Sequence, residues 1–89
     1  MFRLFVRHTV ADYAAWRKAY DAFDAQRAPM GVIAHAVYQS VGNPKDLTVW
    51  HDFATAQQAQ AFMASEALRT AMTQAGVQGA PTVWLTNAV

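Results

Sequence analysis

Apolar residues along this chain switch between a period of two and a period near 3.6, and the switches delimit its elements. Phe2 to Thr9 alternates, with Phe2, Leu4, Val6 and His8 on one face and Arg3, Phe5, Arg7 and Thr9 on the other, which predicts a strand. From Tyr13 to Arg27 the large residues recur as Tyr13, Trp16, Tyr20 and Phe23, one stripe of an amphipathic helix. Asp12 is placed to cap that helix, and Pro29 with Gly31 ends it. Val32 to Val41 predicts a second strand, followed by a hairpin turn at Gly42-Asn43-Pro44-Lys45-Asp46. Leu47 to Phe53 alternates again, with Leu47, Val49, His51 and Phe53 opposite Thr48, Trp50 and Asp52. Thr55 and Gln58 form a capping box for a helix through Phe62 and Met63, and Ser65 caps a further stretch, Glu66 to Ala75. Gly76 and Gly79 stop it, and Pro81 to Thr86 is the last strand.

The order strand, helix, strand, strand, helix, strand predicts an α+β chain with a ferredoxin-like βαββαβ arrangement. Right-handed crossovers and a central hairpin give a four-stranded antiparallel sheet in the order 4-1-3-2, with the helices on one face. Residues 1–89 are expected to form one domain. The uncovered face carries Phe5, Trp50 and Trp84 among Arg3, Arg7, Thr48 and Asp52. That mixture is too apolar for open water and calls for a second sheet. A homodimer packed sheet to sheet supplies one, with Arg7 and Asp52 as an expected ion pair at the interface.

Composition strengthens that expectation. Hydrophobic residues make up 54% of the chain and charged residues 15%, against roughly 25% charged in typical soluble domains. A chain this short buries only about 60–65% of its unfolded surface, so a partner subunit adds needed burial. A net charge of +1 provides no basic stripe for nucleic acid and no polybasic membrane patch. No apolar run approaches the ~20 residues that span a bilayer. The N-terminal Met1–Arg7 is too short and too basic to read as a signal peptide, so a cytoplasmic location is expected. Without cysteine there is no disulfide, thiolate nucleophile or cysteine zinc site.

Three segments carry a family likeness: V-R-H-T-V-A-D-Y-A-A-W at Val6–Trp16, A-V-Y-Q-S-V-G-N-P-K-D at Ala36–Asp46 and A-F-M-A-S-E-A-L-R-T-A-M at Ala61–Met72. Together they resemble the dimeric α/β-barrel superfamily, and in particular its small bacterial members of the antibiotic-biosynthesis-monooxygenase-like and cyclase-like kinds. The likeness spans nearly the whole chain. It implies a homodimer with a ligand cavity between each sheet and its helices. Activities within the superfamily include cofactor-free oxygenation of polycyclic phenols, polyketide cyclisation, lactone isomerisation and haem degradation. Haem-degrading members place a histidine ligand on a helix, as some cyclases do with a catalytic histidine. All three histidines here fall on predicted strands, which argues against haem and weakens a cyclase assignment.

Those histidines are the candidate chemistry. His8 shares a face with Leu4 and Val6, and His51 with Val49 and Phe53; His35 is expected to face the same way, because Ile33, Val37 and Val41 make the odd positions of its strand the apolar set. Each alone has an ordinary reading as a hydrogen-bonded core residue. Together they point into the expected cavity, with His8 roughly 10 Å from His51 at ~3.3 Å per residue, which disfavours a shared metal site. No metal and no cofactor are expected. His51 is the first candidate for a general base toward a phenolic or enolic ligand, since an imidazole titrates near neutrality. His8 is the second, anchoring the ligand's far end. His35, Trp16, Tyr20, Phe23 and Met63 are the candidate ligand-binding residues, although the aromatic stripe serves equally as helix–sheet core.

Three functions compete on this reading. One is a cofactor-free monooxygenase or cyclase acting on an aromatic or polyketide-like molecule. The second is a small-molecule-binding homodimer without turnover, and the third a structural homodimer whose pocket is closed by side chains. A cavity of ~300 Å³ or more touching His51 and Tyr20 separates the first two from the third.

Overall fold

A computed structural model describes residues 1–89. Its elements are β1 (Phe2–Val10), α1 (Tyr13–Ala22), α2 (Asp24–Arg27), a 3-10 turn (Ala28–Met30), β2 (Val32–Ser40), β3 (Asn43–Phe53), α3 (Ala56–Ala64), α4 (Glu66–Gln74) and β4 (Val77–Asn87). The strands form one antiparallel sheet in the order β2-β3-β1-β4, the expected order read from the opposite edge. The helices cover one face, and the fold is ferredoxin-like. No helix is long and apolar enough to cross a membrane.

The caps form where short polar side chains precede each apolar periodicity. Asp12 accepts the Ala15 N–H at 3.1 Å, Thr55 the Gln58 N–H at 3.1 Å and Ser65 the Leu68 N–H at 3.4 Å. Each satisfies a backbone donor that the first helical turn leaves without a partner. Gly31, at φ 94°, turns the chain from the 3-10 segment into β2. That conformation favours glycine; a Cβ there would lie 2.9 Å from the Gln58 carboxamide, a contact that this flexible side chain can move to relieve.

The helix expected over Tyr13–Arg27 is broken at Phe23. At the break the Tyr20 carbonyl accepts both the Phe23 N–H at 3.2 Å and Arg27 Nη1 at 2.8 Å. Two strands are longer than their patterns suggest. β3 begins at Asn43, because the hairpin closes through Val41-Gly42 and Ser40 pairs with Asn43. β4 begins at Val77, with Gly79 inside it at φ 69°. There the pairing jumps from Arg7–Thr82 to Thr9–Gln78, so β4 bulges opposite His8.

Two apolar clusters fill the space between sheet and helices. One gathers Val10, Trp16, Tyr20, Leu47, Val49 and Ala75; the other gathers Leu4, Phe23, Phe53, Ala59 and Phe62. On the opposite face, Phe5 stacks on Trp84 at 5.1 Å between centroids, and the Arg3 guanidinium lies 3.6 Å over Trp50. The expected Arg7–Asp52 pair does not form. Arg3 is the residue directly across from Asp52 and binds it at 2.7 and 3.0 Å, whereas Arg7 pairs with Asp46 at 3.0 and 2.7 Å. Strand register decides the partners: Arg7 lies across from Thr48, too far along β3 to reach Asp52.

Candidate functional site

Register brings the inward histidines into two places. Leu4 pairs with His51, and His8 with Leu47, so four residues of β1 separate the two levels, about 13 Å at ~3.3 Å per residue. Val6 and Val49 pair between them and form the floor of a narrow slot. Trp16, Tyr20 and Phe23 close it from α1 and its C-terminal turn, and Phe62, Leu68, Ala71, Met72 and Ala75 from the α3–α4 side. His8 and His51 are both buried and both line the slot.

His35 also faces the helices, but for a reason other than the one its strand pattern supplied. Ile33 sits in a bulge between Val32 and Ala34 and is exposed, as is Val41. What turns His35 inward is direct pairing with His51, on which its ring stacks at 5.4 Å and 18°. The approach is straight across the ladder. His35 stands behind Tyr20 and is not a slot residue; its ring bonds the Tyr20 hydroxyl through Nδ1 and Asp24 through Nε2 at 3.2 Å. Met63 is also outside. It packs at the edge of the second apolar cluster and faces a separate groove with Leu68, Arg69 and Met72.

The side chain missing from the expected site is Arg27. It is buried, its guanidinium carbon lies 3.9 Å over the Tyr20 ring, and its Nε donates to His51 Nε2 at 3.1 Å. Its sole carboxylate contact is Asp24, at 3.6 Å. The stripe Tyr13, Trp16, Tyr20, Phe23 continues with the same three-and-four spacing to position 27. That spacing was the signal that this arginine points inward.

Arg27 sets the state of His51. Because Nε2 accepts from a guanidinium, the neutral ring carries its proton on Nδ1. Burial pushes the His51 pKa down to about 3, and the charges of Arg27 and His35 act in the same direction. His51 is therefore neutral across the physiological range, with its acceptor nitrogen occupied. Its Nδ1 is buried without a partner, and so is Nδ1 of His8. Burial lowers the His8 pKa too. The Tyr20 phenol is held above its usual value by burial, against the opposing pull of Arg27 and Arg17.

The result is an apolar slot lined by two imidazoles, each of which keeps one buried ring nitrogen without a partner. Buried polar groups are nearly always paired, so two such residues on one cavity single it out as the candidate site. The slot is partly open and its volume is about 60 Å³, room for a few waters and well below the ~300 Å³ of ordinary ligand sites. The expectation of a large open cavity is thus not met. No three His, Cys, Asp or Glu side chains group closely enough to hold a metal ion.

No family model matches the chain, and no curated protein matches it by sequence. Solved structures match it closely in shape. One, from Bordetella bronchiseptica and provisionally named an antibiotic biosynthesis monooxygenase, superposes with a TM-score of 0.84 at 15% identity, covering 99% of this chain and 96% of its own. SnoaB, a cofactor-independent oxygenase from Streptomyces nogalater, gives 0.81 at 14% identity, covering 99% and 92%. A protein provisionally given the same monooxygenase name, from Nitrosomonas europaea, gives 0.79 at 15% identity, covering 100% and 99%. The structural neighbours are thus antibiotic-biosynthesis-monooxygenase-like proteins, and at these identities the likeness defines the fold.

Proposed function

We propose that the slot binds a small aromatic or polyketide-like molecule as its phenolate or enolate, and that the chain is a cytoplasmic, cofactor-free oxygenase- or cyclase-type enzyme. The observation that carries this reading is the unpaired Nδ1–H of His51 with Arg27 bonded behind it. A buried cation that itself lines the cavity and is bonded to a neutral imidazole favours an oxygen that gains negative charge. His51 then stabilises the anion rather than removing its proton, because its Nε2 lone pair is engaged and its conjugate acid forms only near pH 3. His8 bonds a second polar group at the far end. Trp16, Tyr20 and Phe23 sandwich the ring system. Carbanion character in such a bound anion is what reaction with O₂ or an intramolecular aldol closure requires. The structural likeness to SnoaB is in keeping with the first of these.

Ligand entry needs the slot to widen. The wall most readily moved is α4, whose nine residues include no buried one. Sheet-to-sheet pairing with a second copy belongs to the same proposal. Trp84 and Tyr38 are 41% and 58% exposed on the helix-free face, and sedimentation at micromolar concentration reads their burial directly as a dimer.

Anthrone, a tricyclic ketone with an acidic methylene, is a suitable probe. Wild-type protein is expected to quench tryptophan fluorescence on binding it and to accelerate its oxygen uptake. His51→Phe and Arg27→Met should each lower that uptake about 10²-fold, as loss of an oxyanion donor does. Unchanged uptake in both variants would remove the mechanism. Saturable binding without any oxygen uptake carries the second reading, a binding dimer without turnover; absence of binding carries the third, a structural dimer, which the small volume of the slot favours.

A further inference from the structure

Beside the slot, three side chains whose polar atoms the anion-binding role leaves unused form a continuous line to solvent. The Tyr20 hydroxyl meets His35 Nδ1, and His35 Nε2 meets Asp24 Oδ1 at 3.2 Å. At the inner end, Tyr20 is a lining residue of the slot. The outer end is open: the side chain of Asp24 is 67% exposed and that of His35 30% exposed. We propose that Asp24, His35 and Tyr20 are a proton relay, with the Tyr20 oxygen as the acid–base atom facing the ligand. It rests on the reading of the slot as a phenol or enol site and supplies the base that His51 does not provide.

The chemistry of the line fixes its direction. A carboxylate accepts only, so His35 Nε2 carries the proton shared with Asp24. Nδ1 is then the lone-pair nitrogen and accepts from the Tyr20 hydroxyl, whose own lone pairs remain for the ligand. When the ligand's C–H or O–H bond breaks, its proton joins the Tyr20 oxygen while the tyrosine's former proton passes to His35 Nδ1. The bond's electron pair stays on the ligand as an enolate or phenolate, next to His51 Nδ1–H. The His35 imidazolium then releases its Nε2 proton to water at the exposed edge. Proton and anion leave the reacting centre on separate routes, one through His35 and one held by His51 and Arg27.

Surrounding charges suit the transfer. Asp24 faces His35 from α2, and Arg27 lies 3.6 Å from the same carboxylate. From β3, the stacked His51 is neutral. On α1, Arg17 lies 5.3 Å over the Tyr20 ring and is itself paired with Asp21 at 3.1 Å. Asp24 is a positioning residue in this arrangement, and Tyr20 the group that touches ligand.

Two measurements test the relay. In ligand-free protein at neutral pH, nitrogen NMR should show His35 as the Nε2–H tautomer, with that preference weakened in Asp24→Asn. A dominant Nδ1–H tautomer in the wild type would overturn the relay without any ligand. With anthrone in anaerobic D₂O, wild-type protein should accelerate deuterium exchange at the methylene carbon. Tyr20→Phe and His35→Gln should each slow it at least tenfold, with the half-saturating concentration changed less than twofold. The double variant should be no slower than either alone, and added imidazole should restore exchange in His35→Ala. Anthrone that binds yet exchanges at the wild-type rate in Tyr20→Phe and His35→Gln counts against the relay alone. Anthrone that fails to quench tryptophan fluorescence counts against the slot itself, and the relay falls with it.

Discussion

The two faces of the sheet carry polar groups in similar number and handle them in opposite ways. On the helix-free side, Arg3 and Arg7 each form a two-point bond with a carboxylate on β3, and Arg3 also lies flat on Trp50. On the covered side, His8 and His51 remain neutral and each keeps one ring nitrogen without a partner. Charges that are matched pair by pair make a self-sufficient surface, ready to meet another surface of its kind. Donors left unmatched inside an apolar slot are an incomplete structure that a ligand can complete. The contrast explains why the covered face is the candidate for chemistry, although the outer face displays more charge.

The largest expected effect tests whether the covered face is also the stability core. Phe53 is fully buried beside Phe62 and lies across from Phe2 in the register. Phe53→Ala should cost about 3–5 kcal/mol in urea-induced unfolding, the range for emptying an aromatic core site. A cost below ~1 kcal/mol, the level of a peripheral contact, would mean that the layer under the helices packs loosely and that the slot is merely one void among others.

Next comes the pH dependence of the same face. His51 has a folded pKa of about 3 against an unfolded reference of 6.5, so the unfolded chain binds the extra proton throughout that interval. Stability from the neutral imidazole is therefore intact above pH 6.5 and is lost progressively as pH falls toward 3. The slope is at most about 1.4 kcal/mol per pH unit for one group. His8, lowered by burial, adds in the same direction. His51→Gln keeps an acceptor for Arg27 and cannot titrate, so its denaturation midpoint should depend less steeply on pH over that window. An equally steep profile in the variant would show that the acid sensitivity originates elsewhere, with the paired carboxylates of the outer face next in line.

How much of this contrast was legible in the sequence depends on what carried it. Alternation at Leu47-Thr48-Val49-Trp50-His51-Asp52-Phe53 settles which side chains share a face, because a strand's period of two leaves no freedom. The caps at Asp12, Thr55 and Ser65 were legible for the same local reason. Register is not local. Arg3 and Arg7 share a face, and only the alignment of β1 against β3 chooses which reaches Asp52. Arg27 escaped notice because a cation at a helix end is ordinarily solvated, and its burial requires an imidazole and a carbonyl brought by β3 and α1. His35 was assigned its face correctly from a partly wrong premise, since the bulge at Ile33 reverses part of the pattern that placed it. Met63, on α3, borders the neighbouring groove and not the slot.

The smallest expected effect is the sharpest test of the outer face. Tyr38 pairs across from Thr48 and is 58% exposed, with no side-chain hydrogen bond that its loss would strand. If this face serves the subunit interface and not the protomer, Tyr38→Ser should change unfolding of the dilute protein by no more than about 0.5 kcal/mol. The same substitution should weaken self-association, because it removes an exposed aromatic ring from the face that would make the contact. Sedimentation across a concentration series separates the two quantities, as a dimer that dissociates more readily shifts its midpoint while protomer stability stays put. A Tyr38→Ser protein that unfolds more easily but associates as before would assign the residue to the protomer's own structure. The outer face would then be a solvated surface held by its ion pairs, and the tryptophans on it would need another occupant than a second copy of the chain.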